Sequence, residues 1–137
     1  MRCACTRRFV LAGLAGALAA RVAQAQDLHR EFIDAAFRMR DDAVRAGDQA
    51  YGAVVVKDGG IVGFGPSRVI QNEDQTAHAE REAIRDAQGK LGSDLSGCIL
   101  YSSSRPCFGC EAAAAQAHIA RMIHGRNATD AGAPKKT

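Results

Sequence analysis

No stretch of these 137 residues stays apolar long enough to cross a membrane. The apolar run Phe9 to Ala20 is stopped by Arg21, and a spanning helix needs ~20 residues. There is no tryptophan. No internal repeat and no second domain can be traced, and the length suits one domain with a sizeable core. Charge of one sign is also missing where it would matter. The formal net charge is +3, yet residues 1–25 hold four arginines and no acid, so residues 26–137 carry 14 basic against 15 acidic side chains, formally −1. That removes the electrostatic case for a polyanionic partner, and nucleic acid is not expected.

The first 25 residues have the layout of a secretory signal: a basic start, the run Phe9 to Ala20, and the small-residue ending Ala23-Gln24-Ala25. Arg7-Arg8 ahead of Phe9-Val10-Leu11 points to the twin-arginine route. No lipoprotein cysteine follows the run, so Cys3 and Cys5 leave with the signal. The expectation is export to the periplasm or beyond, with a domain over residues 26–127 and a flexible tail over 128–137.

Asp27 to Ala46 reads as a helix, with Leu28, Phe32, Ala35-Ala36, Met39 and Val44 as its apolar stripe and Gly47 as its stop. The run Val54-Val55-Val56, the turn Asp58-Gly59-Gly60 and the run Ile61 to Phe64 read as a hairpin. A second helix is expected near His78 to Gly89, a strand in GCILYSSS, a third helix from Cys107 to about His118, and a last strand in ARMIHG. Strand–helix–strand order demands a right-handed parallel crossover. The predicted class is α/β: three layers, a mixed sheet of about four strands, and helices on both faces.

Cys107 and Cys110 stand three apart at the entrance to an alanine-rich helix, just after Pro106, which suits a first helical turn. Such a C-x-x-C pair alone fits a thiol–disulfide couple or a metal site. The redox reading wants a later loop proline, and Pro134 in the tail is the only one after Pro106. It also leaves His78-Ala79-Glu80, at the start of the other crossover helix, unused. Both helices leave the same end of the sheet, which brings His78, Cys107 and Cys110 within reach of one ion. Three ligands suit catalytic zinc, whose fourth position stays open for water. Glu80, two residues past His78, can face that water as a proton carrier. His118, His124 and His29 read as surface or packing residues, and Cys98 as core.

The pattern H-x-E…P-C-x-x-C is a zinc-deaminase signature. The stretches TAHAEREAIR and CILYSSSRPCFGC resemble the cytidine and deoxycytidylate deaminase superfamily, nearest to guanine deaminases and tRNA adenosine deaminases. The resemblance covers Leu28 to about Gly125. It implies a cytidine-deaminase-like fold, Zn2+ as cofactor, and hydrolytic deamination of a nucleobase or nucleoside with release of ammonia. It makes His78, Cys107 and Cys110 the metal ligands and Glu80 the catalytic proton carrier. It gives the backbone around Ala77 a part in holding the base. A tRNA wobble-adenosine deaminase is the alternative within the same chemistry. A zinc-bound module without activity is the alternative outside it.

Three departures from the family pattern stand out. Ser67 replaces an asparagine that hydrogen-bonds the base, which leaves it a weaker substrate contact. Arg105 precedes Pro106 where a glutamate is usual, and Phe108-Gly109 fills the gap between the cysteines. The chain also ends soon after ARMIHG, so a C-terminally shortened domain with an uncovered edge near Met122-Ile123 is expected, and with it a homodimer.

Overall fold

The computed structural model describes residues 11–136; Arg7-Arg8, Cys3 and Cys5 lie outside the described residues. The first helix, α1 (Leu11–Arg45), is longer than the predicted Asp27 to Ala46. Alanine and leucine dominate residues 11–25, and no proline interrupts them, so the helix continues through strong helix formers. Its side chains from Leu14 to Leu28 are exposed. The buried stripe is Phe32, Ile33, Ala35, Ala36 and Ala43, whereas Leu28 and Val44, both expected in it, face solvent. Among the described residues no helix is long and apolar enough to cross a membrane.

After α1 come β1 (Gly52–Lys57) and β2 (Gly60–Pro66), an antiparallel hairpin. Its turn residues Asp58 and Gly59 both have positive φ, 49° and 76°, the left-handed turn that matches strand twist. The chain then runs through α2 (Ala79–Leu91), β3 (Ile99–Ser102), α3 (Phe108–Gln116) and β4 (Arg121–His124). β3 is antiparallel to β1 and parallel to β4. One strand more than expected completes the sheet. β5 (Thr129–Gly132) pairs antiparallel with β4, giving the order β2-β1-β3-β4-β5.

β5 corrects the reading of residues 128–137 as a flexible tail. Gly125 and Ala128 adopt positive φ, 74° and 48°, and this reverses the chain onto the open side of β4. The backbone groups of β4 then have partners on both sides, and Arg121 pairs with Asp130 at 2.9 Å. The uncovered edge at Met122-Ile123, from which a homodimer is expected, is therefore not there.

The three layers follow from the alternation of the strands. Val54, Val56, Tyr101 and Ile123 meet Phe32, Ile33 and Ala35 of α1. Phe32 and Tyr101 pack ring to ring with centroids 5.1 Å apart. Burying Phe32 and Ile33 stabilises the fold by about 1.5–3 kcal/mol each. On the other face Ala53, Val55, Leu100 and Met122 meet Ala83, Ile84 and Ala87 of α2 and Ala114 of α3.

α2 approaches the sheet unusually closely. Gly63 and Gly65 alternate onto the inner face of β2, against Ala79, Ala83 and Ala87, which recur every fourth residue on α2. A Cβ on Gly65 would overlap the carbonyl oxygen of Ala79 and lie 2.8 Å from the Ala83 methyl. The backbone itself is the packing surface there, and no side chain is available to move aside. Gly65→Ala is expected to lower the unfolding free energy by about 1–3 kcal/mol in urea denaturation. Gly89→Ala serves as the control, because a Cβ at that exposed position of α2 meets nothing within 4 Å; it is expected to raise stability by about 0.5–1 kcal/mol. Equal effects from the two would mean that α2 does not rest on these glycines.

Candidate metal centre

His78 and Cys107 each occupy the N-cap of a helix, and neither makes a side-chain capping hydrogen bond. Ordinarily a serine, threonine or aspartate there stabilises the helix by about 0.5–2 kcal/mol. Here the cap positions are given over to an imidazole and a thiol. Both residues are extended, His78 at φ −64°, ψ 152° and Cys107 at φ −69°, ψ 166°. That conformation turns the side chain back across the first helical turn. An N-cap residue and the residue three further on face each other across that turn, the geometry a capping box uses. Cys107 and Cys110 exploit it with two sulfurs.

The two helix starts converge. His78 Nδ1 lies 3.6 Å from Cys107 Sγ and 3.5 Å from Cys110 Sγ. Bonds of ~2.3 Å to sulfur and ~2.05 Å to nitrogen at a tetrahedral angle set such atoms about 3.6 Å apart. The donor set is thus already spaced for one zinc ion, and it is the only such group of three among the described residues. Burial, with the Glu80 carboxylate beside it, pushes the Cys110 thiol far above its ordinary range. A buried thiolate at this position needs a cation, and both helix dipoles direct their positive ends at it. These residues fit Zn2+ by number, chemistry and spacing, and all three of the structure's described cysteines are unpaired by disulfide.

Glu80 is buried, only 6% exposed, in the first turn of α2. Burial raises its carboxyl pKa, against opposing contributions from its own backbone N–H, Cys110 and His78. It lines a cavity of about 520 Å³ together with His78, Cys107, Gln49, Tyr51, Ser104 and Arg105, within the roughly 300–1,000 Å³ of small-molecule sites. The structure therefore brings His78, Glu80, Cys107 and Cys110 together. Arg81, on the same side of α2 as His78, donates to the Gly109 carbonyl at 3.4 Å and ties the two helix starts to each other.

Ser67 and Ala77 are placed differently. Ser67 is buried, and its hydroxyl donates to Asp48 Oδ1 at 3.0 Å. It does not line the cavity. Asp48 also accepts from the backbone N–H groups of Gln49 (2.8 Å), Ile70 (3.0 Å) and Gln71 (2.9 Å). Burial opposes ionisation of this carboxylate, but those four hydrogen bonds outweigh it and hold the pKa below the usual aspartate range. Ala77 is buried, its N–H donating to Asp74 and its carbonyl accepting from Arg68. Phe108 is 69% exposed. The wall residues Gln49, Tyr51 and Ser104 carry no motif; Gln49 and Tyr51 gain their place only through the turn between α1 and β1.

Residues 26–126 match the family model described as the cytidine and deoxycytidylate deaminase zinc-binding region. The chain is 40% identical over 105 residues to guanine deaminase of Bacillus subtilis (strain 168), covering 75% of this chain and 67% of that protein. It is 36% identical over 93 residues to a tRNA-specific adenosine deaminase of Aquifex aeolicus (strain VF5), covering 67% of this chain and 62% of that one. The X-ray structure of the Bacillus subtilis guanine deaminase superposes with a TM-score of 0.69 at 39% identity, over 71% of this chain and 63% of that chain. A structure from work on A-to-I editing by tRNA:A34 deaminases gives 0.67 at 35% identity, over 69% and 70%.

Metal analysis by mass spectrometry is expected to find about one zinc per chain, reduced to about a tenth or less in Cys110→Ala or His78→Ala, since three-ligand sites do not survive loss of a ligand. Full zinc in either variant would take those side chains out of the metal site.

Proposed function

The chain belongs to the cytidine and deoxycytidylate deaminase zinc-binding family, and from that premise we propose that it hydrolytically deaminates a small nucleobase or nucleoside, with guanine-type substrates first. The observation that carries this reading is Glu80 buried beside the three-donor set and open to one cavity. A group meant only to stabilise a structural metal site would have no need of that carboxylate.

When bound by His78, Cys107 and Cys110, zinc supplies Lewis acidity that makes a water in the open position easier to ionise. The remaining work falls to the chain's own groups. Glu80 accepts one proton of the attacking water and delivers it to a ring nitrogen of the base, then takes the second from the hydroxyl newly formed on the ring carbon and gives it to the departing amine. The water oxygen ends as the carbonyl of the product, the carbon–nitrogen bond breaks, and the amino group leaves as ammonia.

A small diffusible substrate is favoured over tRNA by the near balance of charge beyond residue 25 and by the identity to a guanine deaminase. Export on a twin-arginine leader belongs to the same reading, because that route carries folded protein with its metal in place, whereas tRNA stays in the cytoplasm. Mature protein recovered from the periplasm is expected to begin at Gln26, and N-terminal mass analysis of that fraction would detect an uncleaved chain instead.

Ammonia release on a panel of guanine, cytosine, adenine, their nucleosides and a tRNA anticodon stem, with zinc content measured alongside, tests the activity. Guanine or its nucleoside is expected to lead. Glu80→Gln is expected to lower turnover about 10²–10⁴-fold while keeping zinc. Turnover on the tRNA stem alone would favour the wobble-adenosine reading. A flat panel from zinc-loaded protein would leave a binding module without catalysis.

A further inference from the structure

Beyond His78, Glu80 and Cys107, the cavity is walled by Gln49, Tyr51, Ser104 and Arg105. Gln49 alone among these four offers a hydrogen-bond donor and an acceptor on one planar group. Its main chain is held at both polar atoms. The N–H donates to Asp48 Oδ1 at 2.8 Å, and the carbonyl accepts from the Tyr51 N–H at 2.8 Å. Asp48 is itself fixed by Ser67 Oγ and by the N–H groups of Ile70 and Gln71. The segment that carries Gln49 is thereby locked between the end of α1 and the loop after β2. Its carboxamide, in contrast, has no hydrogen-bond partner among the described residues, and Gln49 is exposed to the cavity. A locked backbone carrying an uncommitted amide is the arrangement a specificity contact requires.

We infer that Gln49 is the specificity-determining residue of this cavity, its carboxamide pairing with a base edge on which a donor and an acceptor stand side by side. The inference rests on the deaminase reading for its substrate class and names the group that reads that substrate. It assigns Ser67 a different part: the Ser67 hydroxyl anchors Asp48, and Asp48 positions Gln49. Recognition of the ring therefore comes from the turn between α1 and β1, and the loop after β2 supplies support.

The test separates binding from turnover. Calorimetric titration of guanine, cytosine and adenine into zinc-loaded Glu80→Gln measures binding with turnover suppressed. Adding Gln49→Ala to that protein is expected to weaken binding of the preferred base about tenfold, two hydrogen bonds being lost. Gln49→Glu, which keeps the size and removes the donor, is expected to weaken it at least as much. Ser67→Ala is expected to lower the melting temperature while binding stays within about twofold, because the N–H groups of Gln49, Ile70 and Gln71 still hold Asp48 in place. Zinc content and melting temperature of the Gln49 variants should match the parent. Unchanged binding in both Gln49 variants at full zinc would overturn the inference, as would failure of every base to bind. Binding that depends on Gln49, while the zinc-loaded protein with Glu80 intact releases no ammonia from any base, would uphold the inference and sink the deaminase reading.

Discussion

At Gly63 and Gly65 α2 lies on β2 main chain to main chain, with nothing larger than alanine methyls between, and the position of the metal centre follows from it. Gly63 and Gly65 leave room for the main chain of α2 at Ala79 and Ala83. His78 and Glu80 flank Ala79. A helix seated on larger side chains would stand further from the sheet and lift both residues away from Cys107 and Cys110. The same economy appears on the opposite face, where a Cβ on Gly52 would meet the main chain of α1 at Ala36 and Arg40. Small residues at the layer boundaries thus set how closely the helices approach the sheet, and close packing makes that spacing stiff.

The helix starts show what is given up for that placement. An N-cap normally satisfies one of the orphan donors of the first turn. His78 and Cys107 do not, and a positive helix end is left turned toward the donor set on each side. The ion those donors fit compensates electrostatically for what the caps omit. Structure and chemistry are coupled here: the same two residues end the loops, begin the helices and belong to the three-donor group, so a change in either loop is felt at the site. Arg81 reinforces the coupling by bridging to Gly109.

The convergence of His78, Cys107 and Cys110 was legible in the sequence because the cysteines have a helical spacing, and because both motifs open helices that leave one end of the sheet. The layers were legible through the strand–helix–strand order, which demands a crossover with helices covering the sheet, and through the β-branched run Val54-Val55-Val56. Other features had no such signature. β5 is an exposed edge made of Thr129, Asp130, Ala131 and Gly132, and nothing apolar alternates in it. The irregularity in β2, where the register skips Val62 between Ile61 and Gly63, changes which residues face α2 without leaving a mark in the composition. The fate of Ser67 was hidden as well: sequence places it beside the base, and its hydroxyl turns to Asp48, a residue nineteen positions earlier whose carboxylate no motif singles out.

α1 runs about five turns, Leu11 to Leu28, ahead of His29, its first residue to contact the sheet, through Tyr101. The core begins at Phe32, and the side chains from Leu14 to Leu28 meet water. The free energy of folding is therefore nearly indifferent to those residues, and a peptidase acting ahead of His29 would find a substrate whose loss leaves the rest of the molecule intact. A cut there, before or after folding, would leave the same core.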